Sequence, residues 1–318
     1  MKIIGTGSAV PKLSVSNGDL ATFLDTSDEW INTRTGINSR HILSDETIEE
    51  LGARACLNAL KMAGLKPKDI DYIICSNVYS SYVTPALSCV VAEKLKVFCP
   101  CIDINGACVG FIYALEMANA FIESGKYKNI LILCAENASR LADWKDRSTC
   151  VLFGDAAAAT IVTHGGCRKA AFQIESLPDS EVIYSYNPPG NCPYTKSYPE
   201  GSLMHMQGQD VYKFAVSIST VGLKRLIKSQ GTDLSKIKFF LLHQANKRIL
   251  EAVRSRLKQP EEKFPTNIDK YGNTSSASIP LLLDELNRSG KLSSGDYLAM
   301  SAFGAGLTAG ACLITWGS

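Results

Sequence analysis

Apolar residues follow two alternating patterns along the chain. Four short apolar runs have no polar face, which is typical of strands buried between layers of helices. They are residues 71–75, 130–134, 239–242 and 297–301. Between them, apolar residues recur with the 3.6-residue period of helices. The helices predicted in this way are residues 49–62, 111–124, 211–229, 248–258 and 279–287. The alternation predicts an α/β fold, and the aperiodic residues 177–207 predict a long surface excursion.

Two local patterns each occur twice. A helix end, a turn and an entering strand at residues 64–74 recur at residues 231–241, an offset of 167 (231 minus 64). A Ser-Gly-Lys step before a strand begins at Ser124 and again at Ser289, an offset of 165 (289 minus 124). Nearly equal offsets in the same order indicate a duplicated half, although short amphipathic segments also resemble one another by chance. We predict two halves, 1–166 and 167–318, that pack as one body because no low-complexity linker separates them.

Composition and charge narrow the class of protein. Hydrophobic residues make up 46% and charged residues 20%, as in a soluble globular protein rather than a disordered one. The formal net charge of +2 argues against a role dominated by nucleic acid or a membrane, since both are polyanionic. No apolar run approaches the roughly 20 residues that span a bilayer. Residues 1–7 are too short and Gly-rich for a signal peptide, so we expect a cytoplasmic protein.

The chain has eleven cysteines, of which one stands out. No C-x-x-C pair occurs, and residues 99–101 (Cys-Pro-Cys) have neither a zinc nor a thioredoxin spacing, so we expect no metal site and mostly buried, reduced thiols. Cys108 instead follows a tight turn of small residues and opens an amphipathic helix. The helix N-terminus is predicted to lower the pKa of its thiol. Cys108 is therefore a candidate nucleophile, with a buried structural cysteine as the alternative.

Among the four histidines, His243 has the context of a functional residue. It directly follows the apolar run 239–242, and open α/β sheets place their sites beyond the C-terminal ends of buried strands. The alternative is a capping histidine whose hydrogen bonds are satisfied within the fold. The remaining histidines are predicted to be structural: His41, His164 and His205.

A second small-residue turn, residues 271–280, also precedes a predicted helix. Asn273 lies 165 positions after Cys108 (273 minus 108), which predicts that it is the pseudo-symmetric partner of the cysteine. If a two-fold axis relates the halves, both turns meet at the axis near His243. We therefore expect a Cys/His/Asn cluster; for Asn273 alone, a helix cap is the alternative.

These motifs resemble those of β-ketoacyl-ACP synthase III, the initiating condensing enzyme of bacterial fatty-acid synthesis in the thiolase superfamily. The resemblance runs nearly end to end and its motifs are specific. The matching stretches are Thr26-Ser-Asp-Glu-Trp30-Ile-Asn-Thr-Arg34-Thr-Gly36-Ile37, the Cys108 turn, Phe153-Gly154-Asp155, His243-Gln-Ala-Asn246, Gly272-Asn273-Thr-Ser and Ala302-Phe303-Gly304-Ala305-Gly306. The resemblance implies a five-layered αβαβα fold of two pseudo-symmetric halves, usually as a homodimer.

The resemblance implies a ping-pong reaction with no cofactor. Cys108 takes the acyl group from an acyl-CoA, and the backbone N–H groups of Cys108 and Ala305 form the oxyanion hole. Malonyl-ACP then loses CO2, while His243 and Asn273 donate hydrogen bonds to the enolate oxygen. The resulting carbanion attacks the acyl-Cys carbonyl. Because decarboxylation supplies the carbanion, the reaction needs no strong base.

The resemblance also implies binding residues. Trp30 and Arg147 would flank the adenine of CoA, with Arg34 near the phosphates; an ordinary buried Trp and surface arginines are the alternative. The further CoA contacts would be Gly208, Gln209, Ala245 and Asn246. An acidic carrier protein would dock on the basic residues of a helix that also carries Lys247 and Lys258, and on a basic residue beside that helix. The alternative is that this basic helix is exposed to solvent and binds no partner. These docking residues are Lys213, Arg248, Arg254 and Arg256. Thr84 and Phe303 would border the acyl pocket.

Departures from the family pattern leave the acyl donor open. Ser148 replaces a usual Gly, Gln209 a usual Asn, and Thr84 stands where some members have Phe. Medium or branched acyl groups, a secondary-metabolite pathway and a non-catalytic acyl-CoA-binding relative are therefore alternatives. A hydroxymethylglutaryl-CoA synthase would need a glutamate within residues 76–81, and a thiolase a second cysteine within residues 303–306; neither is present. A papain-like protease would lack the duplication.

Overall fold

The computed structural model describes residues 1–166, 168–187 and 203–317. Within these ranges the strands are β1 (Lys2–Ala9), β2 (Leu13–Ser16), β3 (Ser39–Ile42), β4 (Tyr72–Ser76), β5 (Cys101–Ile104), β6 (Asn129–Glu136), β7 (Ala156–Thr163), β8 (Ala171–Asp179), β9 (Ile183–Tyr184), β10 (His205–Met206), β11 (Phe239–Leu242), β12 (Tyr297–Gly304) and β13 (Gly306–Thr315). The α-helices are α1 (Asn17–Leu20), α2 (Asp28–Thr35), α3 (Ile48–Ala63), α4 (Leu87–Leu95), α5 (Gly110–Glu123), α6 (Gly208–Ser229), α7 (Lys247–Leu257), α8 (Ile268–Tyr271) and α9 (Ser278–Arg288).

The strands form two large mixed sheets. The first has the order β1-β7-β6-β4-β5, in which β4, β5 and β6 are parallel and β7 and β1 run antiparallel to their neighbours. The second has the order β11-β12-β13-β8, with β11 and β12 parallel and the other pairs antiparallel. The first sheet draws its strands from residues 2–163 and the second from residues 171–315.

The helices complete five layers. Helices α5 and α9 lie between the sheets, where their apolar residues share one core with strands of both. Helices α3 and α4 cover the outer face of the first sheet, and α6 and α7 cover the outer face of the second. A strand that is covered on both faces buries the side chains on both of its sides, as the unbroken apolar runs predicted. The five-layered αβαβα fold is confirmed.

Local sequence explains how the repeated unit folds. Thr47 caps α3 by accepting a hydrogen bond from the Glu50 amide, and the Glu50 side chain accepts one from the Thr47 amide. Gly64 ends the helix with φ +65°, a conformation that favours glycine. Gly231 occupies the same place after α6 with φ +61°, and both glycines are followed by a short 3₁₀ turn and a strand, β4 or β11. Since β4 begins at residue 72 and β11 at residue 239, the predicted offset of 167 holds in the structure.

All predicted strands and helices are present, with ends within three residues of those expected. The antiparallel strands β7 and β13 were missed, because their many Ala and Gly residues have low strand propensity and no apolar alternation. No helix in the described part of the chain is long and apolar enough to cross a membrane.

Candidate active site

Cys108 lies in a tight turn between the two sheets. The turn is one 3₁₀ unit, Ala107–Val109, that follows β5 and leads into α5 at Gly110. Ala107 has φ +45°, a strained conformation for a residue with a side chain. The glycine at the end of β12 allows close packing here, since a Cβ on Gly304 would lie 2.9 Å from the Cys108 amide nitrogen. Cys108 thus stands at the junction of the two halves.

The Cys108 thiol is not activated in the way the sequence suggested. The residue is partly exposed to the cavity, yet burial among protein atoms raises the pKa of its thiol to about 12. A hydrogen-bonding contact with Ser275, at 3.4 Å between Sγ and Oγ, acts in the opposite direction but is weaker. The predicted lowering of this pKa is therefore wrong, because desolvation outweighs stabilisation of the thiolate. At neutral pH the sulfur carries its proton and has to lose it during attack.

His243 directly follows β11 and is 2% exposed. Its Nδ1 is hydrogen-bonded to Ser278 Oγ at 2.7 Å, which fixes the ring and leaves Nε2 as its other polar atom. Burial lowers the pKa of the imidazole to about 3, so the ring is neutral at physiological pH. The ring packs edge-on against Phe303, with centroids 5.3 Å apart. His243 is therefore oriented and uncharged.

Asn273 is fixed by its own turn. Its backbone bridges to the loop before β7, donating to Leu152 O at 2.7 Å and accepting from the Gly154 amide at 3.0 Å. Its side-chain Oδ1 accepts a hydrogen bond from the Ser275 amide at 2.9 Å. With Oδ1 engaged in this way, the Nδ2 amide group is the donor that Asn273 can offer a ligand.

The pseudo-symmetric pairing of the two turns differs from the predicted one. The second turn, Ser275–Ala277, repeats the first: Ser275 has φ +51°, as Ala107 has φ +45°, and α9 follows as α5 does. This alignment has an offset of 168 (275 minus 107), so Ser276 is the counterpart of Cys108 and Asn105 that of Asn273. Asn105 makes the matching hydrogen bond, from the Ala107 amide to its Oδ1 at 3.1 Å. The predicted partnership of Asn273 with Cys108 is wrong by three residues.

The same symmetry relates His243 to Ser76 and Ser278 to Gly110, near the ends of β11 and β4 and the starts of α9 and α5. Ser76 Oγ is hydrogen-bonded to Ser276 Oγ at 3.0 Å. The position of His243 relative to Cys108 is therefore equivalent, under the pseudo-symmetry, to the position of Ser76 relative to Ser276.

One cavity of about 1040 Å³ joins these groups to the surface. Cys108, His243 and Asn273 line it together, as the predicted cluster requires. The other predicted residues that line it are Trp30, Arg34, Ser148, Gly208, Gln209, Lys213, Ala245, Asn246, Arg248, Phe303 and Ala305. Those that do not are Thr84, Arg147, Arg254 and Arg256. Thr84 is exposed at the surface of the chain.

The expected adenine site is occupied by the protein's own side chains. Arg147 stacks on the Trp30 ring with its guanidinium carbon 5.0 Å from the ring centroid, and Arg34 lies 4.6 Å from the same ring. Arg147 is also paired with Asp25, 3.2 Å between Nη1 and Oδ2. Trp30 and Arg147 are neighbours as predicted, but they contact each other rather than leave a gap.

The basic residues are distributed over different faces. Lys213 is paired with Asp210 at 3.2 Å, and Arg248 lies over the Tyr212 ring at 5.9 Å, both at the cavity mouth. On α7, a residue six positions after Arg248 is rotated by about 240° and one eight positions after it by about 80°. Arg254 therefore points away from Arg248, whereas Arg256 is rotated by less than a quarter turn but lies about 12 Å further along the helix. Asn246 caps α7 and holds Arg34 through a hydrogen bond to its carbonyl at 3.1 Å.

Several cavity residues were missed by the sequence analysis. Glu136 is the last residue of an apolar strand and His243 directly follows one, so the same signal would have found it. Ser275 and Ser278, which contact Cys108 and His243, carry no signal apart from their place in the small-residue turn. The excursion also borders the cavity through Ile183, Tyr184, Met204 and Met206, whereas residues 188–202 lie outside the described residues.

Comparisons with known proteins agree with this arrangement. Family models described as 3-oxoacyl-(acyl-carrier-protein) synthase III and its C-terminal part match residues 102–177 and 227–316. A β-ketoacyl-(acyl-carrier-protein) synthase III of Clostridium acetobutylicum is 40% identical, covering 99% of this chain and 98% of its own length. The crystal structure of such a synthase from Aquifex aeolicus has a TM-score of 0.91 at 40% identity, covering 99% of both chains. One from Thermus thermophilus has a TM-score of 0.92 at 34% identity, covering 100% of this chain and 99% of its own.

Proposed function

The chain belongs to the 3-oxoacyl-(acyl-carrier-protein) synthase III family, and we propose that it condenses an acyl-CoA with malonyl-ACP, releasing CO2, to give 3-oxoacyl-ACP. The observation that carries this proposal is the convergence of Cys108, His243 and Asn273 on one cavity. A thiol, a neutral imidazole and an amide suit acyl transfer followed by stabilisation of an enolate. This is the first condensation of fatty-acid synthesis.

In the first half-reaction, Cys108 Sγ attacks the thioester carbonyl of the acyl-CoA and displaces CoA. The carbonyl oxygen becomes negatively charged in the tetrahedral intermediate, and preorganised backbone N–H groups stabilise such a charge. Cys108 and Ala305 line the cavity where the close approach of Gly304 brings the two segments together. Their amides form the proposed oxyanion hole.

In the second half-reaction, malonyl-ACP loses CO2 and leaves a carbanion whose charge is shared with the thioester oxygen. His243 donates from Nε2 in the tautomer whose Nδ1 accepts from the Ser278 hydroxyl, and Asn273 donates from Nδ2 because its Oδ1 is engaged by the Ser275 amide. Two neutral donors stabilise the enolate without protonating it, since burial keeps the pKa of His243 far below neutrality. The carbanion then attacks the acyl-Cys carbonyl.

The substrate contacts follow from the lining of the cavity. CoA is proposed to enter past Gly208, Gln209, Ala245 and Asn246, with its adenine between Trp30 and a displaced Arg147 and its phosphates near Arg34. The acidic carrier protein is proposed to dock at Lys213 and Arg248, with Arg254 and Arg256 at most peripheral to the mouth. Phe303 borders the acyl group, and the chemistry needs no metal or cofactor because decarboxylation supplies the carbanion.

We further propose a homodimer that acts in the cytoplasm. Strand β5 is an edge of the first sheet, and large apolar side chains lie exposed near it, with Val83 103% and Phe98 96% exposed. An open edge beside exposed apolar residues is typical of an interface between subunits. Such an interface would also cover Thr84, which is exposed next to Val83. Nine cysteines in the described residues are free thiols, as in proteins of a reducing compartment.

The proposed function is tested by trapping the acyl group. Incubation with a panel of acyl-CoAs, followed by intact mass measurement, is expected to show one acyl adduct per chain for the accepted chain lengths. Cys108→Ala is expected to show none, whereas Cys312→Ala, which removes a buried thiol outside the cavity, retains it. No adduct with any acyl-CoA or acyl-ACP would contradict the proposal.

A further inference from the structure

Two cysteine side chains to which the mechanism above gives no role meet at the edge of the first sheet. Of the nine cysteines in the described part of the chain, five are buried and Cys108 lines the cavity of the active site. The other three are at least partly exposed, namely Cys89, Cys99 and Cys101. Among them, Cys89 Sγ and Cys101 Sγ lie in contact at 3.2 Å. We call these two residues the edge thiol pair.

The fold holds the edge thiol pair together through the backbone of both elements. Cys89 lies in the first turn of α4, and Cys101 is the first residue of the edge strand β5. Asp103, two residues further along β5, accepts hydrogen bonds from the amides of Leu87 and Ser88 at 2.6 and 2.8 Å. Because these are the first two residues of α4, the carboxylate fastens the start of the helix to the strand. The two sulfurs are therefore kept close by the backbone arrangement around them.

The two thiols of the pair differ in exposure. Cys89 is exposed, whereas Cys101 is half-buried against the core that α3 and α4 form on the outer face of the sheet. Burial and the contact with Cys89 raise the pKa of the Cys101 thiol to about 11, so this thiol is protonated at neutral pH. A reagent in solution therefore meets Cys89 first, and Cys101 lies directly behind it as a second thiol within reach.

We propose that the edge thiol pair is a modification site, which closes into an intrachain disulfide when the protein meets a soluble disulfide such as oxidised glutathione. This inference is independent of the proposed function. The Cys89 thiolate attacks one sulfur of the soluble disulfide, whose S–S bond breaks and releases one thiol. Cys101 loses its proton, attacks the Cys89 sulfur of the mixed disulfide and releases the second thiol. The pair is oxidised by two electrons, and the soluble disulfide is reduced to two thiols that carry the two protons.

Closure of the pair requires little movement. The distance between the sulfurs has to shorten from 3.2 Å by about 1 Å to reach that of a disulfide. The new bond would join α4 to β5 across 12 residues of chain, beside the hydrogen bonds that Asp103 already makes. A crosslink of this kind restricts the unfolded chain, so the oxidised protein is expected to be the more stable form. Neither sulfur lines the cavity, so acylation of Cys108 is expected to continue after closure.

The experiment exposes the folded, fully reduced protein to oxidised glutathione, alkylates the remaining thiols and digests the product with trypsin without a reductant. Trypsin cuts after Lys94 and Lys96, between the two cysteines, so only a disulfide keeps residues 69–94 and 97–126 joined. The joined peptides are expected in the wild type, with a mass about 2 Da below the sum of the two free peptides because two hydrogen atoms are lost. Dithiothreitol is expected to separate them.

Cysteine variants identify the two sulfurs, because the same peptides also contain Cys75, Cys99 and Cys108. Cys89→Ser and Cys101→Ser are each expected to lose the joined peptides. The matched control is Cys99→Ser, which removes a partly exposed thiol two residues before Cys101 and is expected to retain them. Oxidation is expected to raise the unfolding temperature of the wild type and of Cys99→Ser on the order of a few degrees, and not that of Cys101→Ser.

Four results would overturn the inference. They are a folded wild type that forms no disulfide, joined peptides that persist in Cys101→Ser, a link that forms only after urea has unfolded the protein, and a covalent dimer on a non-reducing gel. The gel is included because β5 is also the edge proposed for the subunit interface, where a link between two chains would give the same peptides. Acyl trapping on Cys108 is measured separately on the reduced protein, so none of these results affects the proposed function.

Discussion

Two turns of the same geometry meet at the centre of the molecule, and only one of them carries a nucleophile. Around Cys108, the neighbouring strand β12 ends in Gly304, which adds no side chain and leaves the sulfur facing the cavity. Around Ser276, the equivalent strand β6 ends in Glu136, whose carboxylate binds the serine hydroxyl. The duplicated half thus supplies two similar sites, of which one is open and the other is filled by a carboxylate. The two sites therefore differ at the strand ends, Gly304 and Glu136, as well as in the turns.

The largest expected difference between the turns concerns their asparagines. Asn273→Ala and His243→Ala are expected to slow condensation about 10²- to 10³-fold, since each removes one donor to the enolate oxygen. Acylation of Cys108 is expected to continue in both, because these donors act on the second substrate. The two half-reactions are measured separately, by intact mass for acylation and by CO2 release for malonyl-ACP.

Asn105→Ala provides the matched control, as Asn105 makes the equivalent hydrogen bond within the first turn. It is expected to lower the free energy of unfolding slightly and to leave decarboxylation near the wild-type rate. Equal loss of decarboxylation in Asn105→Ala and Asn273→Ala would show that the hydrogen bond within the turn, rather than Nδ2, is what matters.

A second comparison concerns the effect of the buried Glu136 carboxylate, beside Ser276, on the free energy of unfolding. The pKa of Glu136 is raised in the folded protein, so its contribution to stability is present below its unfolded value of 4.5 and lost as pH rises through about 7. That shift corresponds to about 3 kcal/mol. Glu136→Gln cannot ionise, so its free energy of unfolding relative to wild type is expected to increase by that amount between pH 4.5 and 8.

Urea unfolding at several pH values measures this difference directly. Because His243 titrates in both proteins, its effect cancels in the comparison. If the difference in the free energy of unfolding between Glu136→Gln and wild type does not change with pH, folding does not raise the pKa of the Glu136 carboxyl.

The smallest effect concerns the first residue of each central helix. Gly110 opens α5, and a Cβ there would overlap Ser76 Oγ, whereas its counterpart Ser278 carries a side chain that orients His243. Gly110→Ala is expected to lower the free energy of unfolding by about 1–3 kcal/mol through overpacking. Gly222→Ala, in the middle of α6 where a Cβ meets only an ordinary contact at 3.9 Å, is expected to raise it by about 1 kcal/mol. Thermal unfolding would measure both, and similar values would contradict the close packing at Gly110.

The pattern of apolar residues predicted the layers well because strands that are covered by helices on both faces are apolar on both faces. Residues 239–242 were predicted with correct ends for this reason. Strand β7, with the sequence AAAATIVT, escaped notice because alanine is typical of helices as well as close-packed strands. A search based on hydrophobic runs therefore missed the antiparallel strands of each sheet, such as β7 and β13.

The catalytic cluster was predicted from strand ends and small-residue turns, yet its symmetry was misjudged. Counting along the sequence paired Asn273 with Cys108, since the offset of nearby elements was 165 to 167 rather than the 168 of the turns themselves. The pKa of Cys108 was misjudged because desolvation depends on how many atoms surround the sulfur, which no local sequence records. The exposed position of Thr84 likewise depends on the tertiary fold.

In the contact between Arg147 and Trp30, the guanidinium of Arg147 occupies the face of the Trp30 ring on which the adenine of CoA is proposed to stack. A cation lies where an aromatic base is proposed to bind, and Asp25 anchors that cation from outside. A nucleotide that binds there, as proposed, has to displace Arg147 from the ring, so the free energy of this internal contact is subtracted from the affinity for the nucleotide. The same contact can re-form as soon as the spent carrier leaves.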